Sequence, residues 1–285
     1  MATQITAAMV KELREETGVG MMECKRALVK AEGDKAAAIK FLRESGMALA
    51  AKKASREAKE GMIATAVSED LSSGRMIEVN CETDFVTKNA DFQAFVKELL
   101  ADADGIEDNS LATVQKAKVD AAIQKIGENL VAKRNISYKV DGIGAVGAYV
   151  HLGGKLGVLV EVGCSKAESV KSDVMKTLLA DLTMHVAAVA PMCVSRDQVP
   201  ADAVAAEKEI YVKQVEGKPA AIIEKIVGGK LNKYFSQICL LEQESVKEKV
   251  VNQVSKTIQQ VVDEAGKKLG DTIVVKRFAR WQLGA

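Results

Sequence analysis

Glu78-Val79-Asn80-Cys81-Glu82-Thr83-Asp84-Phe85-Val86-Thr87-Lys88 is the junction from which the rest of the chain can be laid out. Upstream of it, Arg75 to Asn80 alternates with the period of two expected of a half-buried strand. Downstream, Phe92, Phe95, Val96, Leu99 and Leu100 recur at helical spacing. The residues between form a loop or short turn in which an acid is followed at once by an aromatic ring. Only 4% of the residues are aromatic, so a phenylalanine spent on a junction asks for a reason. Spacing alone offers a plain one: Phe85 tucks beneath the following helix as core, and Asp84 caps that helix.

Working outward, composition narrows the class. The chain has 285 residues, enough for two or more packed units. Its formal charge is +1. Neither half is strongly basic, which argues against binding driven by nucleic-acid phosphates. No apolar run approaches the ~20 residues of a membrane span, and Met1-Ala2-Thr3-Gln4 leads into helix without a signal-peptide pattern. The five cysteines, Cys24, Cys81, Cys164, Cys193 and Cys239, include no CxxC pair. Thiols in a reducing cytoplasm are the expectation. Two histidines make a His-rich metal site implausible, and no cofactor is expected.

Residues 1–55 read as a small helical domain. Thr6 caps a first helix carrying Val10 and Leu13, which ends at Thr17-Gly18-Val19-Gly20. A second helix runs from Met21 or Met22 through Cys24, Ala27 and Leu28. Asp34 caps a third, which carries Ala37, Ile39, Phe41 and Leu42 and stops at Ser45-Gly46. This is a bundle of the ubiquitin-associated (UBA-like) type, a separate module with its glycine loop available to partners. Of the neighbours Met21 and Met22, at most one can face fully inward, leaving the other for an adaptable interface. Ala48 to Glu60 is a helical or frayed basic linker, its charges balanced by Glu57 and Glu60.

From Gly61 the chain repeats itself. Met62–Val67 and Arg75–Cys81 form one hairpin; Ala145–Val150 and Lys155–Cys164 form another. Both have a glycine-marked turn followed by a base, and both end Glu-Val-x-Cys. A helix follows each, Asp91 to Ala101 and Val170 to Ala188. Each unit closes with a further helix, Ala122 to Asn129 and Val250 to Ala265, and a strand containing Lys-Arg. Those strands are Val131–Tyr138 and Ile273–Trp281. A repeat of roughly 80 residues fits a duplicated α+β unit rather than a solenoid. Each unit is expected to hold a three-stranded antiparallel sheet with helices on one face. The boundaries are 56–141 for the first core subdomain and 142–190 with 236–285 for the second. Between them, 191–235 inserts an antiparallel helical hairpin, Val204–Glu216 and Ala220–Phe235 about Gly217-Lys218-Pro219, read as a projecting coiled-coil arm.

Catalytic signatures are missing. There is no GxxxxGK[ST] loop, so the chain does not itself cradle nucleotide phosphates. Gly142-Ile143-Gly144-Ala145-Val146-Gly147 fits GxGxxG, but a strand rather than a helix follows it. His185 sits in a helix as an ordinary satisfied histidine, and no GxSxG elbow accompanies it. The chain is not expected to be an enzyme.

Several separated motifs carry a resemblance. Thr83-Asp84-Phe85-Val86 after such a strand, with Phe92-Gln93-Ala94-Phe95 beyond it, resembles the signature of the elongation factor Ts family. So do Val10-Lys11-Glu12-Leu13-Arg14 with Thr17-Gly18-Val19-Gly20-Met21-Met22-Glu23-Cys24-Lys25, Met184-His185-Val186-Ala187-Ala188, and Gly217-Lys218-Pro219 with Leu231-Asn232-Lys233. The likeness covers nearly the whole chain. It implies a cytoplasmic guanine-nucleotide exchange factor for the GTPase elongation factor Tu. On that footing Thr83, Asp84, Phe85 and Val86 intrude on the partner, Phe85 wedging between its helices and Asp84 disturbing its Mg²⁺ network. His185 acts near the partner's phosphate loop, and Arg14, Val19, Met21 and Met22 dock the N-terminal bundle. The sequence departs from the family pattern in lacking the further C-terminal helix of many relatives and in a shorter arm, both of which bear on affinity. Two other readings remain: a tether that binds a translation factor without exchange, and an RNA-binding protein using Lys52, Lys53, Arg56, Lys133 and Arg134.

Overall fold

The computed structural model describes residues 4–217 and 219–285; the first three residues and Lys218, and with it the middle of the expected Gly217-Lys218-Pro219 turn, lie outside them. The chain divides into two compact units, residues 1–64 with 77–137 and 283–285, and residues 65–76 with 138–282.

In the first, α1 (Ala7–Thr17), α2 (Met21–Lys30) and α3 (Lys35–Lys53) open the chain. Strands β1 (Glu60–Val67) and β2 (Ser73–Cys81) follow, with residues 65–67 and 73–76 of them counted in the second unit. Next come the one-turn α4 (Asp84–Thr87), α5 (Ala90–Asp102), the one-turn α6 (Leu111–Val114) and α7 (Lys116–Ile126). Strand β3 (Val131–Lys139) completes a sheet of order β1-β2-β3. The caps read from sequence are present. Thr6 Oγ1 accepts from the Met9 amide, Asp34 Oδ1 from the Ala37 amide, and Gly18 ends α1 at φ 68°. Val10, Leu13, Cys24, Ala27, Leu28, Ala38 and Leu42 close a small core among the three helices.

The third helix does not stop at Ser45-Gly46 but runs on to Lys53. A bare Gly46 serves packing rather than termination: a Cβ there would lie 2.6 Å from Gln124 Oε1 on α7. The extended α3 packs along α7, so the three helices are tied to the rest of this unit by the helix expected to end them.

In the second unit, β4 (Gly144–His151) and β5 (Leu156–Gly163) form a hairpin turning through Gly153 and Gly154. Helices α8 (Ala167–Val170) and α9 (Asp173–Val189) follow, then α10 (Ala201–Lys213) and α11 (Ala220–Ile238). Helices α12 (Val246–Val250) and α13 (Ile258–Leu269) lead to β6 (Val274–Gln282). The sheet is antiparallel, of order β4-β5-β6, with a bulge between Glu161 and Val162. Its core combines Val158, Val160 and Val162 with Leu178, Leu182 and Val186 of α9 and Ile258 and Val262 of α13. Helix α13 begins at Ile258, not at Val250, because Thr257 and Gln260 form a reciprocal capping box that opens a new helix. Helices α10 and α11 pack on each other, each entered through a proline, Pro200 and Pro219.

The expected duplication extends to side chains. Arg134 Nε donates to Glu78 Oε2 at 2.7 Å, and Arg277 Nε donates to Glu161 Oε2 at 2.7 Å. The repeated Glu-Val-x-Cys and Lys-Arg patterns thus meet as the same cross-strand ion pair on a buried glutamate in both sheets, with the arginine half-buried in the first and exposed in the second. Both cysteine thiols then bond two residues on, Cys81 to the Thr83 carbonyl and Cys164 to the Lys166 carbonyl. Together these elements make an α+β protein with two three-stranded sheets. Among the described residues no helix is long and apolar enough to cross a membrane.

Candidate functional site

Beyond β2 the backbone turns through Glu82 and Thr83 into α4, a helix in which no residue is buried. Phe85 is 77% exposed. The economical expectation, a ring under the next helix, fails because the positions are already filled. Asn89, not Asp84, caps α5, accepting from the Asp91 amide. Phe92 and Phe95 take the apolar space beneath it. Asp84 stands exposed at the first position of α4, where an acid favours the helix N-terminus.

The turn that carries Phe85 is held from below. Glu128 Oε2 accepts from the Glu82 and Thr83 amides, each at 3.0 Å, and Glu128 Oε1 accepts from the Thr83 hydroxyl at 2.6 Å. In return Glu82 Oε1 accepts from the Asn129 amide at 2.6 Å. That amide, opposed by burial and aided by Arg56, holds the Glu82 carboxyl below its ordinary range. Asn129 Nδ2 donates to the Arg56 carbonyl and Lys53 Nζ to the Gly127 carbonyl, which secures the chain after α3 to the same clasp. Within α4, Thr87 Oγ1 donates to the Asp84 carbonyl at 2.6 Å. Thr83 and Val86 are half-buried and Asp84 and Phe85 exposed, so the quartet presents its centre outward. Lys52 and Arg56 are exposed, whereas Lys53 is buried in the clasp.

The bundle residues divide. Met21 and Met22 are both exposed, at 51% and 65%, one more than the argument from adjacent positions required. Arg14 is exposed. Val19 is buried in the bundle core, its carbonyl accepting from the Cys24 thiol at 3.4 Å. It supports the loop rather than surfacing on it.

His185, in the second unit, is 3% exposed. Its Nε2 donates to Gln243 Oε1 at 3.0 Å, and its Nδ1 accepts from the Val246 amide at 3.3 Å. That pattern is the neutral imidazole with hydrogen on Nε2; a second proton would face the Val246 N–H. Burial pushes the His185 pKa below the ordinary value, with Gln243 opposing it weakly. Gln243 is fixed in turn by donating to the Gln237 carbonyl at 2.7 Å. Met184 beside it carries the outward face.

Glu128 and Asn129, the residues that hold the turn, were not singled out from the sequence. The available signal was the repeat itself. Asp271 occupies the matching place before β6, accepting from the Ser165 and Lys166 amides and the Ser169 hydroxyl. In that second turn Glu168 stands where the first has Phe85. Among the described residues no group of three or more His, Cys, Asp or Glu could hold a metal ion.

Fold and site together define an α+β protein that holds an apolar ring in solvent on a clasped turn. Residues 82–285 match the family described as Elongation factor TS. Over 297 residues the chain is 44% identical to "Elongation factor Ts" of Trichlorobacter lovleyi, covering 98% of this chain and 93% of the relative. Over 293 residues it is 43% identical to the protein of that name from Clostridium botulinum, with the same coverage. The Chloroherpeton thalassium protein of that name is 43% identical over 298 residues and is covered, like this chain, to 99%. The chain belongs to the elongation factor Ts family.

Proposed function

We propose that this protein is a guanine-nucleotide exchange factor of translation elongation that binds elongation factor Tu in its GDP form and releases the nucleotide. The observation that carries this reading is an exposed Phe85 on a clasped turn, in a chain of this family. Phe85 enters between helices of the GTPase, and Thr83, Asp84 and Val86 flank it, the Asp84 carboxylate competing for the polar network around the partner's Mg²⁺. The metal and nucleotide belong to the partner. This chain contributes shape and charge and catalyses no bond-making step.

The mechanism is linkage: the factor weakens GDP binding by as much as it prefers the nucleotide-free partner. A thousandfold weakening requires about 4 kcal/mol, and burying one exposed phenylalanine provides about 2–3 kcal/mol. Further contacts must share the work. In this reading Arg14, Met21 and Met22 dock a UBA-like bundle, residues 1–55, with Val19 shaping the loop beneath them. His185 serves the phosphate-loop side by holding Gln243 and the start of α12 under the surface carrying Met184. The core subdomains are 56–141 and 142–190 with 236–285, and 191–235 is a coiled-coil arm. The setting is cytoplasmic, with neither membrane nor direct nucleic-acid contact.

Adding the protein to elongation factor Tu loaded with a fluorescent GDP, with excess unlabelled nucleotide, tests the proposal. Accelerated loss of fluorescence is expected. Binding without acceleration would instead identify a tether.

A further inference from the structure

We propose that Glu128 is the positioning residue for Phe85, setting where the ring stands when a partner arrives. The inference rests on the reading of Phe85 as the intruding group. Helix α4 buries none of its residues, so core packing does not fix the ring's approach. The hydrogen bonds that orient the entry to α4 converge on one carboxylate, which takes the Glu82 and Thr83 amides and the Thr83 hydroxyl. Carboxylate acceptors make shorter and stronger bonds than neutral ones, and three donors on one side chain leave the turn little freedom. The carboxylate is placed by the reciprocal Glu82–Asn129 bond at 2.6 Å, so the turn before β3 and the turn after β2 move together. The second unit repeats the device with Asp271. The clasp is therefore how this fold holds a turn leaving its central strand, and in the first unit that turn carries the exposed ring.

A positioning role predicts a loss in the maximal rate rather than in binding, because Met21, Met22 and Arg14 lie elsewhere. Stimulated GDP release from elongation factor Tu would be measured against factor concentration for wild type, Glu128→Ala, Glu128→Gln, Thr83→Val, Phe85→Ala and the Phe85→Ala/Glu128→Ala pair. Thermal melts would be run on each sample. Glu128→Ala removes all three bonds and is expected to lower the maximal stimulated rate about tenfold or more, at least the scale of one charge-assisted bond, with the half-saturating concentration changed less than about threefold. Glu128→Gln keeps the length and one acceptor oxygen and should recover most of the rate. Thr83→Val removes only the hydroxyl arm and gives a smaller loss. In the Phe85→Ala background, Glu128→Ala should cost less than about twofold, since a clasp has no effect on an absent ring.

Equal fold-losses in both backgrounds, or a wild-type maximal rate in a folded Glu128→Ala, would overturn the proposal. If Glu128→Ala does not fold, Thr83→Val and its pairing with Phe85→Ala decide in the same way. Normal release by Phe85→Ala alone would defeat the underlying reading. Slowed release by Phe85→Ala with losses that multiply in the pair would leave that reading intact and defeat only the role of Glu128.

Discussion

Phe85 keeps its ring in water although burying it would stabilise a folded protein by about 2–3 kcal/mol. Its removal should therefore change folding stability by no more than about 0.5 kcal/mol, as for other surface positions, and a thermal melt of Phe85→Ala checks this. A large downward shift would mean that the ring packs after all. Spacing misled here because a phenylalanine just before an amphipathic helix is compatible with either orientation; Asn89, Phe92 and Phe95 settle the matter only once their places are known. His185 was legible as a satisfied helix histidine, but its partners, Gln243 and the Val246 amide, come from a distant part of the sequence. It is buried neutral and its pKa is lowered. The unfolded chain therefore takes up a proton near the ordinary value while the folded chain resists, so stability falls as pH drops through about 6.5. Melting temperature plotted from about pH 7.5 to 5 should decline, and the decline should be shallower in His185→Gln.

At the scale of elements, the strand leading into the turn depends on a glycine. Gly61 in β1 has φ +137°, and a Cβ there would lie 2.1 Å from the Val79 carbonyl oxygen and 2.7 Å from Asn80 Cα. These are backbone atoms of β2 that cannot swing aside. Gly61→Ala should destabilise the protein by about 3 kcal/mol or more, measured by denaturant unfolding, because it combines strain with a backbone clash. The pair Glu78–Arg134 is a second support: Glu78 is 0% exposed and Arg134 Nη2 lies 2.6 Å from it. Arg134→Met removes the 2.6 Å partner and leaves the buried carboxylate with Lys133 at 3.5 Å. A loss of about 3 kcal/mol is expected in the same denaturant titration. The strands and these charges were readable because alternation and the repeated Glu-Val-x-Cys and Lys-Arg patterns are local. The ends of α3 and α13 were not. Gly46 reads as a stop signal until α7 lies against it, and Val250 reads as helix until Thr257 and Gln260 cap a new start.

For the molecule as a whole, a net charge of +1 argues against binding driven by nucleic-acid phosphates. The duplicated architecture was legible from pattern. What pattern did not contain was the division of labour between the copies: the same clasped turn ends in Phe85 in one unit and in Glu168 in the other. Under the proposed function, that asymmetry assigns the work on the partner's nucleotide site to the first turn rather than the second. The most direct measurement is the release rate of fluorescent GDP from elongation factor Tu at saturating factor, comparing wild type with Phe85→Ala of matched thermal stability. The wild-type protein should accelerate release, and Phe85→Ala should lose about tenfold or more of that acceleration, in keeping with the apolar area withdrawn. Equal acceleration by the two proteins would contradict the account.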